Sequence, residues 1–206
     1  VVITQVLAEK VSDGVLGVKI KQFSGNTADT VEKIVRANTD PSKPNKILLD
    51  LRDDPGGLLP GGIAAASLFL PANSPVVSQV DRTNVPRAER TIFDGPFADG
   101  DVYRVALLVN GQTASAAEVF AGALKDNGRA TIAGDDVSAT FGKGVVQTVV
   151  PLGEDGEEGG LAITVAKWVR PNGEDINKKG VEVDVKVGPC GEGEVTCLPK
   201  DLFRDS

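Results

Sequence analysis

The chain has 206 residues, with 22 Lys+Arg against 29 Asp+Glu, a formal net charge of −7, and neither histidine nor methionine. The missing histidine excludes a Ser-His-Asp triad, a Cys-His dyad and a His-ligated zinc site, and the acidic balance argues against a nucleic-acid or anionic-membrane binder working through a basic face. A translated chain starts with Met, so the sequence is read as one whose N-terminus has been removed. Hydrophobic residues at 41% and charged residues at 25% are ordinary globular values, and no run approaches the roughly 18 apolar residues of a membrane span. With aromatics at 4%, the core is expected to be built from Val, Ile, Leu and Ala.

In chain order, residues 1–7 and 15–20 read as β-strands separated by a turn at Ser12, Asp13 and Gly14. Asn26 or Thr27 can cap a helix over 28–38, where Val31, Ile34 and Val35 share one face. Asp40 to Pro44 break it, and the apolar run 46–51 has the pattern of a buried parallel strand. A turn-rich loop over 52–62 leads to a helix over 63–70 and a strand over 76–80, after which 81–101 reads as polar and irregular. A second buried strand at 102–109, a helix at 115–126 and strands at 129–133, 144–150, 161–169 and 181–187 complete the pattern. The acidic stretch 155–160 reads as a solvated turn. Strands alternating with helices through short loops make an α/β domain.

The segment from Val109 to Glu118 runs from a buried strand through small residues into a helix. Ser115 with Glu118 three residues on fits a capping box, in which both side chains satisfy backbone donors. The same place suits a nucleophile, because free N–H groups in the first helical turn stabilise a negative oxygen. With no histidine to act as base, Lys143, flanked by Gly142 and Gly144, is the candidate. A lysine base must be neutral, which means bringing an ammonium pKa from about 10.4 towards 7–8, a bias of roughly 3–5 kcal/mol that burial can supply. The alternative is a surface lysine in a turn. Gln147 lies four residues on and can orient the amine only if the strand bends, since four residues of straight strand span about 13 Å. Gly56 and Gly57 follow a buried strand and lack P-loop or G-x-G-x-x-G spacing; their N–H groups suit an oxyanion hole better than a phosphate. Asp53 and Asp54 beside them read as a solvated turn. Cys190 and Cys197 are too few to complete a metal site; they form a local disulfide in an oxidising compartment or remain free thiols.

Residues 49–59 (LDLRDDPGGLL) closely resemble the LDLRxNPGGLL signature of the carboxyl-terminal processing, or tail-specific, proteases. Residues 109–130 resemble that family's VNxGSASASEIxAGALxDNxRA block, and residues 140–147 (TFGKGVVQ) its TFGKGxVQ block. Residues 165–173 and 180–185 are similar to its closing strands, so the resemblance runs from about 14 to 187. It implies a serine endopeptidase on a fold related to the ClpP and crotonase superfamily, with Ser115 as nucleophile, Lys143 as general base and Gln147 orienting the lysine. Oxyanion donors would be the backbone N–H of Ala116 and of Gly56 or Gly57. No cofactor or metal is implied. Two departures are local: the block around Ser115 reads TASAAE rather than SASASE, and the loop over 135–139 is about three residues longer.

The resemblance divides the chain into a protease core over 1–187 and a C-terminal tail over 188–206 that holds the cysteine pair. Family members carry a PDZ domain ahead of this core, which is not in this sequence. Implied partners are protein substrates with apolar C-terminal tails, the photosystem II reaction-centre precursor among them. The implied location is extracytoplasmic, in a thylakoid lumen or periplasm. Two other readings are a non-catalytic ligand-binding module on the same fold and a crotonase-like acyl-CoA enzyme.

Overall fold

In the computed structural model the described residues are 5–10, 14–135, 137–153, 157, 159–188, 198–199 and 202–203. The cysteine pair and residues 155, 156 and 158 of the acidic turn lie outside them. Strands β1 (Val6–Lys10) and β2 (Val15–Ile20) form an antiparallel pair at one edge of a six-stranded sheet. β3 (Asn45–Asp50), β6 (Tyr103–Val109), β7 (Ala130–Asp135) and β10 (Val185–Val187) continue it in parallel, in the order β1-β2-β3-β6-β7-β10. A second, antiparallel sheet has the order β5-β4-β9-β8, built from β4 (Pro75–Asp81), β5 (Pro86–Arg90), β8 (Val145–Pro151) and β9 (Gly160–Val169). Three helices, α1 (Thr27–Asn38), α2 (Leu59–Ser67) and α3 (Ala116–Asp126), complete the α/β architecture.

Period-two alternation sorts the buried strands between two cores. Ile47, Leu49 and Leu51, with Val105, Leu107 and Val109, join the larger core with Val31 and Val35 of α1, Phe120 and Leu124 of α3, and Val76 and Val77 of β4. Leu48, Ala106, Leu108 and Ala133 point the other way, where Leu198, Leu202 and Phe203 cover them. Leu202 is only 1% exposed, so the chain after Val187 returns to pack on the sheet. The seven phenylalanines include a chain of ring contacts from Phe23 through Phe120 and Phe69 to Phe97 and Tyr103.

Four elements differ from the sequence reading, the first being β1, which runs over Val6–Lys10 and not 1–7, residues 1–4 lying outside the described ones. Helix α2 begins at Leu59, not 63, because Gly61 and Gly62 act as close-packing residues rather than turn formers. A Cβ on Gly61 would stand 2.3 Å from the Ser24 carbonyl oxygen. Strand β5 lies in the stretch read as irregular; all five of its residues are exposed, so pairing with β4 forms it and no apolar alternation marks it. The last strand shrinks to three residues, since Val181 and Val183 donate to Thr140 and Ser138 outside any regular ladder.

The end of β9 is tied to the end of α3 by Arg170, whose side chain is 2% exposed and pairs with Asp126, Glu174 and Glu182. Asp126 is itself 4% exposed, so removing the cation strands a buried carboxylate. We expect Arg170→Ala to cost about 3–5 kcal/mol, measured by urea unfolding.

Candidate active site

Two loops leave the C-terminal ends of adjacent parallel strands, β3 and β6, where α/β sheets place their crevices. The first is anchored by charge. Asp50 accepts from Arg52 through Nε and Nη2 at 3.0 and 2.7 Å, Lys19 lies 3.4 Å from the same carboxylate, and Arg52 reaches Asp135 at 3.2 Å. Lys19 also donates to the Arg52 carbonyl at 3.0 Å. The loops are stitched together by Ala114 N–H to the Asp54 carbonyl (2.9 Å), Thr113 Oγ1 to the Leu51 carbonyl (2.8 Å) and an Asn110–Asp53 pair.

Ser115 sits at the entry to α3 with φ 58 and ψ −121, in a turn closed by Ala117 N–H donating to the Ala114 carbonyl at 3.1 Å. These angles belong to the second residue of a type II′ turn, a position glycine favours. A side chain there costs about 1–3 kcal/mol, typical of residues held out for function. The capping box expected between Ser115 and Glu118 is present: Ser115 N–H donates to Glu118 Oε2 at 2.8 Å, and Glu118 N–H is directed back at Ser115.

Glu118 does far more than cap. It is fully buried, and its two oxygens accept four hydrogen bonds. Oε2 takes Ser115 N–H and Lys143 N–H, each at 2.8 Å, while Oε1 takes Gly142 N–H and the Thr140 hydroxyl, each at 2.6 Å. The backbone nitrogens of Ser115 and Lys143 thus lie no more than twice a hydrogen-bond length apart. Thr140 Oγ1 donates to Glu118 and accepts Val181 N–H. A further bond, Phe141 N–H to the Thr113 carbonyl at 3.0 Å, binds the Lys143 loop to the Ser115 loop.

Gly56 and Gly57 have φ of 100 and 129. A Cβ on Gly56 would stand 2.7 Å from Ser115 Cβ and 2.8 Å from Ala116 N, so this backbone lies directly against the serine. Gly56 N–H donates to Asp54 Oδ1 at 2.8 Å. Among the described residues the N–H groups of Gly57 and Ala116 have no acceptor. The expectation of a solvated turn holds for Asp53, which is exposed, and fails for Asp54, which is fully buried. Burial pushes the Asp54 carboxyl up to about 7, against the lowering effects of the Gly56 hydrogen bond and of Lys19.

Lys143 is exposed, and its Nζ has no hydrogen bond or ion pair among the described residues. Gln147 is exposed on β8, just past a bulge where Val146 and Gln147 face Ala166 and Thr164, and no hydrogen bond joins it to Lys143. The structure thus brings together Ser115, Ala116, Gly56, Gly57 and the Lys143 backbone and leaves Gln147 apart. Sequence reasoning passed over Asp50, Arg52, Thr140 and the wider role of Glu118. The charged residues closing an apolar run at 46–52 were the available signal.

The profile of peptidase family S41 matches residues 14–187. The chain belongs to peptidase family S41. Among S41 relatives, the chloroplastic C-terminal processing peptidase of Tetradesmus obliquus is 41% identical over 189 residues, 90% of this chain and 36% of that protein. A probable CtpA-like serine protease of Staphylococcus haemolyticus is 35% identical over 183 residues, covering 88% of this chain and 35% of its own length. A solved photosystem II D1 C-terminal processing protease superposes with a TM-score of 0.72 at 34% identity, covering 92% of this chain and 50% of that one. The chain spans about a third of the length of the curated relatives it matches.

Two outcomes follow for this S41 site. Every partner of Glu118 is a donor, so the amide of Glu118→Gln would present its NH₂ to two of them; each stranded donor costs about 1–3 kcal/mol, read by urea unfolding, with faster amide exchange at Ser115 and Lys143. Ser115→Gly should raise stability by about 1 kcal/mol while Ser115→Ala does not, because only glycine relieves the positive φ.

Proposed function

We propose that the chain carries the catalytic centre of a serine endopeptidase that cuts near the C-terminus of protein substrates, with Ser115 as nucleophile and Lys143 as general base. The observation that carries this reading is the single Glu118 oxygen that holds both backbones, beside a strained serine and two N–H groups with no acceptor. Ser115 Oγ attacks the scissile carbonyl while Lys143 Nζ takes its proton. The negative oxygen is held by the N–H groups of Gly57 and Ala116, Gly56 N–H being committed to Asp54. The leaving amine departs with the proton from Lys143; Lys143 Nζ, neutral again, takes a proton from the water that attacks the acyl group and returns it to Ser115 Oγ as the ester bond breaks.

A substrate chain lying over Lys143 supplies the burial that favours its neutral form. Apolar tails suit the site's rim, because Leu58 and Phe141, 58% and 62% exposed, stand on the loops that carry Gly57 and Lys143. Gln147 is assigned to orient the lysine once substrate is bound. A PDZ domain that recruits substrate tails, and a lumenal or periplasmic location, belong to the same reading, in keeping with the chloroplastic and cyanobacterial processing proteases among the relatives. No helix among the described residues is long and apolar enough to cross a membrane.

The test is cleavage of a protein with an apolar C-terminal tail, followed by mass spectrometry of the shortened product. Ser115→Ala should abolish the product and Lys143→Ala should lower kcat/KM by about 10²–10⁴-fold. Equal cleavage by all three proteins would overturn the assignment.

A further inference from the structure

Three buried carboxylates lie around the Ser115 site, and they differ in how they are satisfied. Glu118 accepts four hydrogen bonds, and Asp50 is paired with Arg52 and Lys19. Asp54, with no exposed surface, has one hydrogen bond, from Gly56 N–H to Oδ1; its Oδ2 is buried with no hydrogen-bond partner. A buried carboxylate oxygen with nothing donating to it is strongly disfavoured in its charged form.

We propose that Asp54 is a proton-operated positioning residue: with its carboxyl neutral, the turn at Gly56 and Gly57 can hold a negative oxygen beside Ser115, and with its carboxyl ionised, the buried charge repels that oxygen. The connection is direct. Asp54 Oδ1 fixes the Gly56 N–H, Gly56 presses on Ser115 Cβ and Ala116 N, and the Asp54 carbonyl accepts the N–H of Ala114, next to the serine. A second negative charge developing on the substrate oxygen beside this fully buried carboxylate meets unfavourable Coulomb energy that a neutral acid does not impose.

The charged groups on the packed elements do not remove this conflict. Lys19 on β2 acts on Asp54 electrostatically but gives its hydrogen bonds to Asp50 and to the Arg52 carbonyl. Arg52 is engaged by Asp50 and Asp135, Glu118 on α3 is saturated by its own donors, Asp53 and Lys143 are exposed, and α2 carries no charged residue. None of them donates to Asp54 Oδ2. The signature that this loop resembles has a neutral asparagine where Asp54 stands, and a protonated aspartic acid is its near isostere.

The sign of the pH effect follows from the carboxyl holding its proton to about 7 in the folded chain and losing it near 4 when unfolded. Between those values the folded state binds the extra proton, so stability falls as pH rises from about 4 to about 7 and is level above. This rests on the proposed nucleophilic role of Ser115, and the experiment separates the two. Thermal unfolding of the wild type and of Asp54→Asn is compared from pH 4 to 9, and both are reacted with an alkyl fluorophosphonate, detected at Ser115 by mass spectrometry.

The variant should gain in melting temperature relative to the wild type as pH rises to about 7. The ratio of wild-type to variant labelling rates should fall about tenfold between pH 6 and pH 8, as a group titrating near 7 requires. A melting difference or a rate ratio that does not change with pH overturns the gate. Absence of Ser115 labelling in both proteins at every pH overturns the nucleophile assignment and with it the gate's effect on chemistry, while the unfolding series still reads the titration of Asp54 by itself.

Discussion

The site depends on one buried carboxylate. Glu118 reaches from the first turn of α3 to four donors on two stretches of chain, and those stretches hold Ser115 and Lys143. A second bond, from Phe141 N–H to the Thr113 carbonyl, joins the loop over 140–144 to the loop that carries the serine. The two parts of the proposed dyad come from different structural regions, since Ser115 follows a strand of the large sheet and Lys143 precedes a strand of the small one. A charge inside the protein is acceptable because its donors replace the water it lost, and geometry is fixed as a result.

Much of the fold was readable in the sequence because its determinants are local or periodic. The runs at 46–51 and 102–109 are apolar on both faces, and the structure buries both faces. Ser115 at the head of a helix and glycines on either side of Lys143 were also visible; a Cβ on Gly144 would stand 2.3 Å from the backbone nitrogen of Asn177. What was not readable depends on the third dimension. Gly61 and Gly62 look like turn formers until Ser24 and Ala116 are seen packed against them. Asp53 and Asp54 are chemically identical neighbours, yet one faces water and the other the interior, and nothing in their order says which. Glu118 advertised a cap in its spacing from Ser115, while its bonds to Thr140, Gly142 and Lys143 span more than 20 residues of chain.

The carboxylates near the site form a graded series. Asp50 is matched by cations, Glu118 by neutral donors, and Asp54 by a single peptide N–H. The first two are fixed supports whose charge is balanced at the distances observed. The third stands in the loop that packs against Ser115. Supports and sensor are built from the same functional group, and the number of donors around each distinguishes them.

The packing of Leu198, Leu202 and Phe203 on the far face of the large sheet also bears on how the chain acquires its structure. Leu48, Leu108 and Ala133 are covered by side chains that leave the ribosome after every strand has been made. During synthesis one side of the sheet can close on α1, α3 and β4 while the other stays open to water and to other nascent chains. That face is the one a chaperone would have to shield until Leu202 and Phe203 arrive.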